Sequence, residues 1–154
     1  MTNDSPGTEE FYRAAGAVVV HGGKALVLER PSRKEIRLPK GHQNENEEPP
    51  QTALREVEEE SGYCDLIIVR DLGTQEVRFT RENRSVRREE RFFLAVSQHA
   101  EMRHGTAHET QFEPRWMTWE EAIRALTYEP EREWMRRARN AVEAGCLEGD
   151  ANEE

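Results

Sequence analysis

The sequence predicts an α/β (α+β) fold, an α/β/α sandwich in which a mixed β-sheet lies between helices. Three observations predict it. Short apolar runs, AGAVVV, ALVL, LIIV and RFFLAV, recur at strand length between polar turns. One acidic segment with a narrow apolar stripe interrupts them near residue 55, at helical spacing. Two further helical segments close the chain, so strands precede, flank and follow a single helix instead of alternating regularly with helices.

The elements follow in order. Residues 1–10 (MTNDSPGTEE) are polar, carry Pro6 and Gly7, and are expected to form a mobile tail. Ala14 to Val20 reads as a buried strand, His21-Gly22-Gly23 as a hairpin turn, and Lys24 to Glu29 as the partner strand. Pro31 to Glu35 is polar loop. Ile36 to Leu38 is extended, because Pro39 holds its predecessor out of the α region. Gly41 to Glu48 reads as loop. A helix opens at Pro49 or Pro50, runs to Ser61 on the stripe Ala53, Leu54 and Val57, and is capped by Gly62. Asp65 to Val69 and Thr74 to Thr80 are strands separated by a bend at Gly73, and Glu82-Asn83-Arg84 turns the chain into a strand over Val86 to Val96. Gln98 to Glu113 lacks periodicity and is expected to be a long loop. Arg115 to Thr118 is a short strand. Thr118 and Glu121 form a capping box for a helix over Trp119 to Leu126, and Pro130 opens a last helix reaching Ala144. One domain over 11–146 and an acidic tail over 147–154 complete the organisation.

Composition excludes several function classes. The 154-residue chain carries a net charge of −9, so its long-range field repels phosphates, which argues against nucleic acid or an anionic membrane as a partner. Charged residues make up 34% and mean hydropathy is −0.95, but the apolar runs argue for a folded core beneath a charged surface. Cys64 and Cys146 have no metal-binding spacing and suit a reducing cytoplasmic location. No signal peptide or membrane-length apolar run is present. The chain is expected to be a monomer or homodimer.

The chemistry centres on Gly41 to Tyr63, GHQNENEEPPQTALREVEEESGY. Glu56, Glu59 and Glu60 lie three and four residues apart, which lets all three carboxylates point to one side of the helix. Three like charges so close are tolerated when water screens them or when a cation sits between them. A glutamate run alone more often means a solvated face. The neighbours shift that balance, because the string reads Gly, five residues, Glu, seven residues, Arg-Glu-Val-x-Glu-Glu-x-Gly-Tyr. It resembles the Nudix box, with Gly41, Glu47, Arg55, Glu56, Glu59, Glu60 and Gly62 at every fixed position. Tyr63 departs from the usual aliphatic residue, and Asn46 stands where the box loop commonly has glycine.

The resemblance implies a metal-dependent hydrolase in which water attacks phosphorus of a nucleoside diphosphate linked to another group. Hard Mg²⁺ or Mn²⁺ suits carboxylate oxygens. By position, Glu56, Glu59, Glu60 and the main-chain carbonyl of Lys40 would be ligands, and Arg55 with Glu47 would orient the carboxylates. The general base would be a box glutamate or a loop residue, with Glu109 preferred over Glu113. Leu38-Pro39-Lys40-Gly41-His42 resembles the LPKGH start of diadenosine polyphosphate hydrolases, and the C-terminal RWMTWEEAIRALTYEPEREWMRRA is similar to the same branch. That branch implies a dinucleoside polyphosphate substrate, with Lys40, His42 and Arg88 near the phosphates or base. Arg84 and Arg87 are further phosphate candidates, although an exposed salt-bridged hairpin suits most of these arginines better. Tyr128 or Phe112 would stack on a base or pack in the core. Other readings of the same class are hydrolysis of nucleoside triphosphates, ADP-ribose or nucleotide sugars, and of other diphosphates, such as removal of pyrophosphate from inositol or RNA ends. Outside that class stands a silent nucleotide-sensing domain of the same fold.

Overall fold

The computed structural model describes residues 9–105 and 110–145. The first strand, β1 (Glu10–His21), pairs antiparallel with β2 (Lys24–Arg30) across the expected Gly22-Gly23 turn. It begins four residues before Ala14, because Glu10 to Arg13 find a partner strand at Val86 to Glu89, so Glu10 belongs to the sheet and not to the tail. A 3-10 turn (Pro31–Arg33) leads to β3 (Glu35–Arg37). The next strand, β4 (Lys40–His42), occupies part of the expected loop and pairs antiparallel with Ala14 to Gly16.

The central helix α1 (Pro49–Ser61) begins and ends where the sequence places it. Proline fits its first turn, whose leading amide would have no helical partner. Gly62 closes it at φ 87°, a left-handed conformation that costs glycine little. Beyond it come β5 (Tyr63–Cys64) and the long β6 (Leu66–Arg81). The break expected near Gly73 is present as two register shifts, Ile68/Arg70 and Asp71/Gly73, within one bent strand. β7 (Arg84–Ser97) returns antiparallel. The loop over 98–113 holds a short strand, β8 (Arg103–His104), paired with β5. β9 (Glu113–Met117), α2 (Trp119–Ala125) and α3 (Glu129–Glu143) follow. Thr118 and Glu121 make the expected reciprocal cap, with Glu121 N–H donating to Thr118 Oγ1 at 3.2 Å and Thr118 N–H to Glu121 Oε1 at 3.0 Å.

The main sheet runs β3-β2-β1-β7-β6, with β4 also on β1 and β9 on β2. The β1–β7 pair is parallel and the others antiparallel, so the sheet is mixed. Alternation along β1 divides the core into two layers. Ala15, Ala17 and Val19 pack with Phe93, Ala95 and with Ala53 and Val57 of α1. Val18 and Val20 pack with Phe92, Leu94 and with Trp134, Met135 and Ala138 of α3. Every strand position near the site therefore faces either α1 or α3, and this assignment decides which side chains meet. Among the described residues no helix is long and apolar enough to cross a membrane.

Candidate active site

The box folds around one guanidinium. Arg55 Nε donates to Glu47 Oε2 at 2.6 Å, and Nη2 donates to Glu47 Oε1 at 3.0 Å and to the His42 carbonyl at 2.9 Å. Its Nη1 donates to Glu56 Oε2 at 2.9 Å and to both Glu59 oxygens at 3.2 Å. One cation thus joins the loop to two carboxylates of α1. Glu60 is directed elsewhere: its Oε1 accepts the Lys40 N–H at 3.1 Å, tying α1 to β4. Asn46 takes φ 70°, so the left-handed turn expected at the position where the box loop commonly has glycine is made by asparagine.

Gly41 is glycine for want of space. A Cβ there would lie 2.1 Å from Cδ and 2.2 Å from Oε2 of Glu56. The Glu56 carboxylate rests directly on the strand, and the residue is only 9% exposed. The Glu59 side chain is open, at 47%. Among the described residues no three acidic, histidine or cysteine side chains close into a ligand cage; Arg55 lies between Glu56 and Glu59, and Glu60 is tied to Lys40. The donor set still fits a hard dication: the oxygens are carboxylate and main-chain carbonyl, and Gly41 provides the cradle that holds one of them in place.

Glu47 shows how strongly this arrangement favours charge. Hydrogen bonds from Arg55 push its carboxyl down to about 2, against burial and with help from the Asn44 N–H and Thr52 hydroxyl. The folded value lies below the ordinary 4.5, so this stabilisation is complete above pH 4.5 and is lost as pH falls towards 2. Thermal melts across that window are expected to show a shallower acid loss for Glu47→Gln than for the unmodified chain. Equal slopes would remove Glu47 from the acid response.

Register turns the side chains of three of the four expected substrate contacts, Lys40, His42 and Arg88, to the face of the sheet opposite Gly41. Gly41 pairs with Ala15 and faces α1, whereas Lys40 and His42 pair with Gly16 and Ala14 and face α3. Lys40 Nζ meets Glu131 of α3 at 3.2 Å, and His42 stacks on Tyr12 with ring centroids 3.9 Å apart. Burial and the nearby cations Arg81 and Arg88, opposed by Glu10, lower the His42 pKa. Arg88 pairs with Tyr12, on the α3 side, and meets the fully buried Glu90 at 2.7 Å. Glu90 also accepts the Trp134 indole N–H at 2.9 Å. Arg88 and Glu90 are thus partly or wholly buried, unlike the exposed hairpin pairs expected there. Tyr128, at the start of α3, donates to Glu35 and lies under Arg37, 4.8 Å from its ring centroid. Phe112 is buried, as a packed aromatic. Glu109 lies outside the described residues.

The α1 side of the sheet carries other candidates. Phe11 and Arg13 are in phase with Ala15, and their β7 partners Arg87 and Glu89 are in phase with Phe93. With Thr74, Gln75 and Glu76 they line a cavity of about 420 Å³. Phe11 is 38% exposed, with the Arg87 and Arg13 guanidinium carbons 4.2 and 5.3 Å from its ring centroid. Phe11 and Arg13 precede the apolar run that begins at Ala14, so that run alone does not mark them as sheet residues. The alternation of FYRA, continued back from the apolar run, is the signal that finds them.

A model of the NUDIX domain family matches residues 10–138. Among solved structures the fold is similar to that of an Ap4A hydrolase from C. elegans, with a TM-score of 0.64, 20% identity, and 86% of this chain and 98% of that one covered. It is similar to a NUDIX hydrolase from Nitrosomonas europaea, with a TM-score of 0.65, 17% identity, and 86% and 90% covered. It is also similar to a MutT protein from Methanosarcina mazei Go1, with a TM-score of 0.62, 21% identity, and 86% and 95% covered. No curated protein matches the sequence. At these identities the likeness to solved structures is one of fold, while the family match spans nearly all of the sheet together with the box. The chain therefore belongs to the NUDIX domain family and is a Nudix hydrolase.

Proposed function

We propose that the chain hydrolyses a phosphoric anhydride of a dinucleoside polyphosphate such as diadenosine tetraphosphate, in the cytoplasm and with Mg²⁺ or Mn²⁺. The observation that carries this reading is the placement of the cavity relative to the box. Gly41 with its Glu56 carboxylate stands beside Ala15, and Arg13 and Phe11 follow on the same face of β1. At two residues per step they lie about 7 and 13 Å farther along the strand. That length suits a polyphosphate reaching from the carboxylates to a nucleoside held at Phe11, with Arg13 and Arg87 beside the anion. The C. elegans structure of similar fold is that of an Ap4A hydrolase, which agrees in kind.

In this reading Glu56, Glu59, Glu60 and the Lys40 carbonyl would hold the dication. When bound it neutralises phosphate charge and makes a coordinated water more acidic. Arg55 keeps Glu56 and Glu59 paired in orientation, and Glu47 keeps Arg55 in place. Glu109 is the proposed proton acceptor. Lys40, His42, Arg88 and Tyr128 serve the α3 side of the sheet, and Arg13, Arg87 and Phe11 take the substrate.

The test is a panel of diadenosine tetraphosphate, nucleoside triphosphates, ADP-ribose and nucleotide sugars, with Mg²⁺ or EDTA. Diadenosine tetraphosphate is expected to exceed the others by about tenfold or more in kcat/KM, with all turnover lost in EDTA. If it is the slowest of the panel, the substrate assignment is wrong.

A further inference from the structure

Glu131 is 2% exposed and stands in the first turn of α3, yet the box does not include it. Its carboxylate gathers three groups from one four-residue stretch. Oε1 accepts the Leu38 N–H at 2.9 Å. Oε2 accepts Arg37 Nη2 at 2.9 Å and Nε at 3.1 Å, and meets Lys40 Nζ at 3.2 Å. Burial alone would raise its pKa, but Lys40 and Arg37 hold it below the usual carboxylate range. Glu35 adds a second anion against Arg37 at 3.3 Å, so two acids and two bases share this buried patch.

The same stretch is fixed from the other side. The Lys40 N–H donates to Glu60, the Pro39 carbonyl accepts the Ala17 N–H at 3.3 Å, and Gly41 receives Glu56. The Lys40 residue is therefore held by its side chain to α3 and by its backbone to α1. We infer that Glu131 is a positioning residue: through Arg37, Leu38 and Lys40 it sets the backbone of the box entrance, and thereby the metal affinity of a site it does not touch. This rests on the proposed metal site above. A buried anion is well suited to the task, because removing its charge takes the acidic partner from Lys40, leaves Arg37 with Glu35 alone, and forces the segment to move.

The experiment measures Mn²⁺ binding by electron paramagnetic resonance without substrate, alongside Tm. Glu131→Gln keeps an acceptor for the Leu38 amide but loses the charge, and is expected to weaken Mn²⁺ binding about tenfold or more. Lys40→Met leaves the main-chain carbonyl in place and removes only the tether, and is expected to act in the same direction. Val142→Ala loosens α3 about 16 Å along its axis from Glu131 and is expected to lower Tm without changing Mn²⁺ affinity. Unchanged affinity in Glu131→Gln and Lys40→Met, beside weakened binding in Glu59→Gln, would overturn the inference and leave the metal site standing. Absence of Mn²⁺ binding by the unmodified chain would overturn both.

Discussion

Glu59→Gln is expected to lower kcat by at least about 100-fold while leaving Tm within a degree or two. Two physical terms separate cleanly at this residue. Its side chain is 47% exposed, and the ion pair it makes is with Arg55, one turn away at 3.2 Å. Exposed pairs at this spacing contribute about 0.3–0.5 kcal/mol, and glutamine still offers Arg55 an oxygen. Stability therefore has little to lose. A dication has much to lose, because glutamine presents one neutral oxygen where the carboxylate presents two charged ones. Steady-state kinetics on the best substrate of the panel, at saturating metal, reads the first quantity, and a thermal melt reads the second. Turnover within threefold of the unmodified chain would show that Glu59 is a solvated-face glutamate after all. The same variant excludes the silent-sensor reading from the other direction, since a sensor has no turnover for the substitution to remove.

The box itself was legible because its distances are short-range facts. A thirteen-residue helix with proline at its start and glycine at its end is written in consecutive residues, and so is the ladder of Glu47, Arg55, Glu56 and Glu59. The faces of the sheet were not legible in the same way. Lys40-Gly41-His42 is too short to show a period of two, and it becomes strand only because β1 accepts it. Once paired, alternation leaves no freedom: Gly41 faces α1, and its two neighbours face α3. Lys40 and His42 thus sit one residue from Gly41 in sequence and on the opposite side of the sheet. Glu131 was invisible for a related reason. A glutamate in EPEREW resembles its neighbours, the exposed Glu129 and the half-buried Glu133, until the Arg37 to Lys40 segment arrives from more than ninety residues away. The β5–β8 pair is hidden likewise, since two residues carry no pattern and gain their partners only when Tyr63 meets His104.

Gly41→Ala should disturb the chemistry through the backbone, without altering any carboxylate. Gly41 and Gly16 are both closely approached, but by different kinds of atom. A Cβ at Gly16 would lie 2.3 Å from the Pro39 carbonyl and 2.7 Å from the Phe92 ring, which are backbone and packed aromatic. A Cβ at Gly41 would meet the carboxylate of Glu56, the end of a side chain with rotatable bonds. Strain at Gly16 has no cheap exit, so Gly16→Ala should lose the fold. Strain at Gly41 is relieved by swinging Glu56 away from the strand and breaking its 2.9 Å bond to Arg55. The expected cost in stability is an overpacking penalty of about 1–3 kcal/mol. The expected cost in kcat is about 100-fold or more, because Glu56 leaves the place where it can act with Glu59. Circular dichroism melts and turnover measured on the same preparation decide it. A folded Gly41→Ala with normal kcat would mean that the reacting atoms do not depend on Glu56 as the strand now holds it, and the metal assignment would have to move to other oxygens.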